Sequence, residues 1–441
     1  MMGYLYVIGE YPIFFESEFW IIKDNVRSMK RRIVRNTAIA FLFFLSHFFS
    51  SLSAQPVQQL FSMAGAHTRN MAKQLGDSSR IPVAMGKDSM VQWADLYDWR
   101  SGFFAGNIWF LYEYTKDAQW LKEARRWTAA LEPLQFFKDH HDLGFMVYCS
   151  YGAGYRLTGD ENYKKIIVEA ARSLCTRYSE KTKAIKSWNS FRSWTSGTTY
   201  HYPVIIDNMM NLELLFFASR VTGDPYFRNV AIAHANTTLK DHFRKDYSAY
   251  HVVFYDTVTG KVLARETAQG YAHESAWSRG QAWALYGFTT TYRETKDERY
   301  LQQARGIARY LMNHPRLPAD NIPFWDYDAG VPGLSPVTKS AGRFNGGRQP
   351  SDASAAAIIA SALLELSGYV PRKEGAGMVV FAGNILRSLS GPEYLAEPGT
   401  NANFLLKHSV GSLAHGGEID VPLIYADYYF LEALLRWKEK N

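Results

Sequence analysis

Apolar and polar positions along this chain follow helical spacing over long blocks, and one arrangement of them returns four times. Near Leu111 the chain reads LYEYTKDAQWLKEARRW, and near Tyr155 YRLTGDENYKKIIVEAARSL. Near Ala218 it reads ASRVTGDPYFRNVAIAHANTTL, and near Thr291 TYRETKDERYLQQARGIARYL. Each is an apolar helix end, then Thr-Lys-Asp or Thr-Gly-Asp, then a second helix with alanine on its inner turn. Asp117, Asp160, Asp224 and Asp297 fall where a helix N-cap belongs, with a side-chain oxygen ready to accept a backbone N–H. The threonines are 43, 64 and 73 residues apart, too uneven for a regular solenoid. Two more helical segments follow, SDASAAAIIASALLELSGY and VPLIYADYYFLEALLRWKEK. The pattern predicts an all-α protein of helical hairpins closed into an α/α toroid. Short turns lie on one face, and long loops line a central cleft on the other. An open helical array is the alternative, and uneven repeat length argues against it.

The first 54 residues break the pattern. From Met29 they read MKRRIVRNTAIAFLFFLSHFFSSLSAQ, a basic start, an apolar run from Thr37 to Phe49 and a small-residue exit before Gln55. That is the layout of a secretory signal peptide, about 29–54, whose apolar run is too short to span a bilayer. Residues 1–28 read as an upstream extension and 55–441 as a single catalytic domain, exported to the periplasm with no stable membrane anchor. An N-terminal anchor is the competing reading.

Composition narrows the classes. With 47% hydrophobic and 21% charged residues the chain affords a large core and is not generally disordered. Aromatics at 15% suit a carbohydrate cleft or a big helical core. Net charge is +7, and +5 remains beyond residue 54, which suits an acidic ligand. No Lys/Arg-rich run is present, so nucleic acid is disfavoured. Cys149 and Cys175 cannot make a disulfide framework, no CxxC occurs, and neither metal nor cofactor is expected.

The candidate chemistry lies in two stretches where an acid interrupts apolar sequence. They are HHDLGFMVY, with Asp142, and IIDNMM, with Asp207. A buried carboxylate is costly unless it is paired or has chemistry to do. Two acids at equivalent points of successive hairpins can face each other, and burial with shared charge then lifts one pKa toward neutrality. Taken singly, each acid reads as a helix N-cap. His140 and His141 read as a hydrogen-bonded loop pair, because no further ligand follows at metal-site spacing. Trp188, Trp277 and Trp283 taken singly read as core.

Five blocks together carry a resemblance. DWRSGFFAGNIWFLYE, HHDLGFMVY, IIDNMMNLELL, QGYAHESAWSRGQAWALYG and EIDVPLIYADYYFLEALLR resemble glycoside hydrolase family 88, the unsaturated glucuronyl hydrolases, over roughly residues 90–438. SRGQAW also occurs in the unsaturated rhamnogalacturonyl hydrolases. The resemblance implies an (α/α)6 barrel, no metal, and a substrate left by polysaccharide lyases. The implied reaction removes a 4,5-unsaturated uronic acid from the non-reducing end of glycosaminoglycan-type or similar oligosaccharides, by hydration of its vinyl ether. It makes Asp207 the proton donor and then the base, with Asp142 as partner. It places Trp188 and Trp283 against sugar faces, and His251, Gln269 and Arg279 around the uronate. Arg265 and Thr267 share that loop, and His141 and Trp99 flank the cleft. The alternatives are a rhamnogalacturonyl hydrolase acting on pectin fragments, a polysaccharide lyase, or a non-catalytic carbohydrate-binding toroid. Oligomeric state is not legible in the sequence.

Overall fold

The computed structural model describes residues 54–86 and 88–440; apart from Ala54, the predicted extension and signal peptide lie outside them. Twelve helices follow in hairpin order: α1 (Ala54–Leu75), α2 (Ser101–Thr115), α3 (Ala118–Ala129), α4 (Ala153–Thr158), α5 (Glu161–Cys175) and α6 (Leu212–Thr222). Then come α7 (Pro225–Asp241), α8 (Ser278–Thr295), α9 (Glu298–Met312), α10 (Ala353–Leu366), α11 (Arg372–Leu389) and α12 (Ile424–Lys440). The even-numbered helices form an inner ring that closes where α12 packs on α2, and the odd-numbered ones form an outer ring. The result is an (α/α)6 barrel.

Sequence explains which helix goes inside. In α10 every residue except Glu365 is buried, and α8 is buried from Ser278 to Thr291. Helices apolar on all sides belong in a core. The outer α9 instead buries one stripe, with Tyr300, Ala304, Ile307, Ala308 and Leu311 on it.

The four Thr-x-Asp turns are built alike. Each threonine hydroxyl bonds back to the carbonyl four residues earlier, and each aspartate caps the outer helix. Asp117, Asp160, Asp224 and Asp297 accept N–H bonds from Gln119, Asn162, Tyr226 and Arg299 at 2.8–3.0 Å. Between them sits a left-handed residue: Lys116 (φ 58°), Gly159 (68°), Gly223 (75°) and Lys296 (59°). The predicted caps are therefore present.

The opposite end departs from an all-helical picture. β1 (Ile81–Met85) pairs with β2 (Val91–Ala94). β3 (Pro203–Ile205), β4 (Val252–Tyr255) and β5 (Val262–Glu266) form an antiparallel sheet, with Val204 opposite Val253 and Phe254 opposite Ala264. β6 (Ser409–Ser412) pairs with β7 (Gly417–Val421). These small sheets replace the expected long loops. They hold backbone donors and acceptors that irregular chain would leave unpaired. Among the described residues no helix is long and apolar enough to cross a membrane.

Candidate active site

Two short wide or tight helical turns deliver the acids. Asp142 precedes a π-helical segment, Gly144–Gly152, that runs on into α4. Asp207 lies in a 3-10 turn, Ile206–Asn211, that leads into α6. The two turns approach closely because Gly144 packs against Asn211, where a Cβ would lie 2.7 Å from the Asn211 Cα. The sheet fixes the second acid. The Ile206 N–H donates to the His251 carbonyl at 3.0 Å, so β3 and β4 hold Asp207 beside His251.

Both acids line one cavity of about 350 Å³, with Trp99, His140, Phe145, Trp188, Phe191, Gln269, Arg279, Ser412 and His415 among its walls. That volume is at the low end for a small-molecule site.

The environment of Asp142 can be read atom by atom. Its Oδ1 accepts from Asn211 Nδ2 at 3.1 Å, and the Gly144 N–H, donating to Asn211 Oδ1 at 2.8 Å, fixes which way that amide faces. His141 Nε2 lies 3.1 Å from Oδ1, and His140 Nδ1 lies 3.3 Å from Oδ2. His141 is wholly buried and its Nδ1 donates to the Ser187 carbonyl at 3.0 Å. A neutral His141 therefore faces Asp142 with an unprotonated Nε2 that has no hydrogen-bond partner, a neighbour that favours the protonated carboxyl. Burial acts the same way on both groups: it pushes the Asp142 carboxyl up to about 7 and holds His141 well below the usual histidine range.

Asp207 has the opposite kind of neighbour. The backbone N–H groups of Ala268 and Gln269 both donate to His251 Nδ1 at 3.1 Å, so the ring hydrogen sits on Nε2, 3.6 Å from Asp207 Oδ2. Burial first, and then the charge of Asp142, raise Asp207 to about 7; Arg279 and the Trp283 indole N–H oppose them. One acid thus faces a ring lone pair and the other a ring N–H, and neither contact is a formed hydrogen bond. Sharing one cavity, the pair titrates as a unit.

The structure relocates several residues predicted to touch substrate. Arg265 points away from the cavity, its Nε donating to the Asp241 carbonyl at 2.7 Å, because alternate residues of β5 face opposite sides. Trp283 is fully buried against Phe145 and Tyr429, so it presents no face for stacking and acts on Asp207 through its N–H. Thr267 is buried beneath the loop, where its hydroxyl accepts from the Gly270 N–H at 2.8 Å. His141 lies behind Asp142, and His140 takes the place in the wall. Asp142, Asp207, Trp99, Trp188, Gln269 and Arg279 do line the cavity. Arg279 is buried and already engaged, bonding Asp352 Oδ2 at 3.2 Å and the carbonyls of Val410 and Gly411.

Sequence reasoning missed Asn211, Phe191, Ser412 and His415. Asn211 was readable in hindsight, four residues after Asp207 on the same helical turn. Ser412 and His415 arrive on the β6–β7 hairpin, which carries no helical periodicity. The potential ligand atoms of His140, His141 and Asp142 all lie within 4.8 Å of one another, a cluster that residue spacing alone does not reveal. The two imidazoles are stacked, 4.7 Å apart and 27° between planes, and each offers its nitrogen to a different oxygen of Asp142. That arrangement serves the carboxyl.

Comparison with known proteins agrees with the geometry. The profile of Glycosyl Hydrolase Family 88 matches residues 73–297. An unsaturated glucuronyl hydrolase from Formosa agariphila is 44% identical over 340 residues, 77% of this chain and 80% of that protein. An unsaturated chondroitin disaccharide hydrolase from Streptococcus agalactiae is 34% identical over 78% of this chain and 82% of its own length. Among solved structures, an unsaturated glucuronyl hydrolase specific for heparin superposes with a TM-score of 0.79 at 46% identity, covering 88% of this chain and 98% of that one. The glucuronyl hydrolase of Bacillus sp. GL1, responsible for degradation of glycosaminoglycan, gives 0.77 at 30% identity, covering 87% and 97%.

Proposed function

The chain belongs to glycosyl hydrolase family 88, and from that premise and its buried acid pair we propose that Asp207 and Asp142 hydrate a 4,5-unsaturated uronic acid. The enzyme is a glycoside hydrolase of the unsaturated glucuronyl hydrolase type. Its substrate is the unsaturated uronate at the non-reducing end of glycosaminoglycan-derived oligosaccharides. The observation that carries the assignment is the pair itself: two carboxyls in one aromatic-walled cavity, each raised to about 7.

Asp207 gives its proton to C4 of the C4=C5 double bond, and cationic character develops at C5 and the ring oxygen. Water, losing a proton to the same carboxylate, adds at C5. The hemiketal so formed opens to a C5 ketone, and the hemiacetal left at C1 expels the next sugar as an alcohol. No nucleophile attacks the anomeric carbon, unlike the two-carboxylate displacement of ordinary glycosidases.

In the resting site the His141 tautomer favours the proton on Asp142, and His251 favours charge on Asp207. An arriving uronate adds a negative charge, which raises the proton affinity of both acids and loads Asp207. Asp142 then orients the sugar hydroxyls, Gln269 and Arg279 face the uronate, and Trp99 and Trp188 cover its apolar face. The test is loss of the unsaturated-uronate absorbance when purified lyase products are added, with the reaction in heavy water placing one deuterium at C4. Unchanged absorbance, or no deuterium at C4, would overturn it.

The same reading includes export, with residues 1–54 removed and 55–441 acting as one catalytic domain in the periplasm. Its support is the basic, apolar and small-residue order of 29–54. N-terminal sequencing of the protein from a periplasmic fraction should begin near Gln55; a start at Met1 in the cytoplasm would contradict it.

A further inference from the structure

The cavity is small, so a chain longer than the terminal sugars must leave across the rim. The rim is not uniform. The segments that supply Trp99 and His140 also carry exposed aromatics: Tyr97 is 49% exposed and Phe136 63%. Tyr97 packs on Phe137 with ring centroids 5.0 Å apart at 55°. Single exposed aromatics are ordinary on a protein surface. These belong to the two segments that supply cavity walls. Tyr97 is two residues before Trp99, and Phe137 is three residues before His140. Trp99 in turn rests on Phe103, Phe145 and Tyr425, which ties the rim to the barrel core.

The aromatic beside His415, another wall residue, is held differently. Trp194 gives its N–H to the Ala268 carbonyl at 3.2 Å and its ring edge to His415 at 4.9 Å. Its aromatic is occupied by the protein, whereas Tyr97 and Phe136 turn toward water. Flat apolar faces beside a polar cleft suit pyranose rings, whose C–H faces are apolar and whose edges carry hydroxyls.

We infer that Tyr97, with Phe136 and Phe137, forms an outer sugar-binding platform for the leaving oligosaccharide, so that the enzyme distinguishes chain lengths. This inference rests on the function proposed above. Sugars bound there are held equally before and during the chemical step, so the platform lowers KM without changing kcat.

The experiment uses the full enzyme and whichever of the chondroitin- and heparin-derived unsaturated disaccharides it hydrolyses faster, together with the tetrasaccharide of the same polymer. In Tyr97→Ala and Phe136→Ala, kcat/KM for the tetrasaccharide should fall about three- to tenfold further than for the disaccharide, through KM. Tyr97→Phe, which keeps the ring, should restore the preference. A ratio of tetrasaccharide to disaccharide kcat/KM equal to wild type in both alanine variants overturns the platform. So does a loss that falls equally on both substrates. A wild-type enzyme that consumes neither length overturns instead the reading of the active site, and this inference with it.

Discussion

The barrel has a cavity at each end, and the larger one is not where Asp142 and Asp207 lie. Toward the turn end about 650 Å³ opens between the inner helices, among Glu113, Arg156, Glu213, Arg220, Arg293, Glu432 and Arg436. There the acids have guanidinium partners. Arg293 contacts Glu213, Glu294 at 3.0 Å and Glu365 at 3.1 Å, and Arg436 lies 2.9 Å from Glu365. Burial raises Glu365, but Arg436 and Arg293 outweigh it and hold the carboxyl below its ordinary value. At the loop end, Asp142 has neutral imidazoles and an amide, and the one arginine in the wall is engaged by Asp352. Volume does not separate the two ends; the partnering of the acids does. A raised pKa alone does not either. Asp427 is also pushed up to about 7 by burial, yet it accepts the Leu405 and Leu406 N–H groups at 2.9 Å and is structural.

The contrast breaks most sharply on rate. Asp207→Asn keeps the shape of the side chain and removes the exchangeable proton. Turnover should fall by at least about a hundred- to ten-thousand-fold, with substrate binding still measurable by calorimetry. Asp142→Asn should be severely impaired as well. A turn-end change such as Glu365→Gln should leave kcat within about twofold. If it costs as much as Asp207→Asn, the two ends are not functionally distinct.

Next in size is stability at the turn end. Arg293→Met leaves the half-buried Glu213 without its cation, while Glu294 keeps Arg220 and Glu365 keeps Arg436, a loss on the order of 3 kcal/mol by denaturant unfolding. Its kcat, measured below the new melting temperature, should stay near wild type. A variant that unfolds as wild type would show that the network is idle.

The loop-end acids Asp142 and Asp207 should behave in the opposite sense. Their folded pKa values, about 7, lie above the unfolded carboxylate value, so burying them costs nothing below about pH 4. The cost grows as pH rises from 4 to 7 and is constant above. Asp207→Asn removes it, and should stabilise the protein by roughly 1–4 kcal/mol at pH 8, with the gain fading toward pH 4. Wild-type activity should decline as pH rises through about 7, because Asp207 must hold a proton to begin. A variant less stable than wild type at pH 8 would contradict the assignment of an unpaired buried acid.

How far the sequence foretold all this also divides by end. Thr115 to Asp117 and its three counterparts are local devices, in which each bond joins residues a few positions apart, so their pattern survives in one dimension. So does the burial of α10, written as an unbroken run of small and apolar residues. Asp142 and Asp207 were legible because an acid within an apolar helix start conflicts locally with its surroundings. The fate of Arg265 was not. YHVVFYDTVTGKVLARE reads as a loop before a helix, and only as the β4–β5 hairpin does alternation send Arg265 outward and Glu266 inward. Trp283 failed for a related reason. A tryptophan one helical turn from Arg279 shares its side of α8, but ring packing by Phe145 and Tyr429, far away in sequence, decides that it is covered.

The smallest effect tests the turn end against itself. Four turns share one geometry, yet two place lysine where the backbone is left-handed, at φ 58° for Lys116 and 59° for Lys296. A side chain there costs about 1–2 kcal/mol relative to the right-handed region, and glycine escapes most of it while losing more freedom on folding. Lys116→Gly should therefore stabilise the protein by about 0.5–1 kcal/mol. Lys296→Gly should gain less, because Lys296 lies over two rings, Tyr292 at 5.5 Å and Tyr369 at 5.2 Å, whereas Lys116 meets Tyr112 alone at 5.7 Å. Exposed cation–π contacts are worth about 0.5–1 kcal/mol each, enough to cancel the backbone gain at Lys296. The reverse change, Gly159→Lys, puts a side chain on a left-handed residue with Tyr155 four positions earlier, as Lys116 has Tyr112, and should lose about 0.5–1 kcal/mol. Thermal unfolding of the three variants should rank Lys116→Gly above wild type, Lys296→Gly close to it and Gly159→Lys below. Equal shifts for the two lysine variants would mean that the rings contribute nothing and the backbone alone sets the turn.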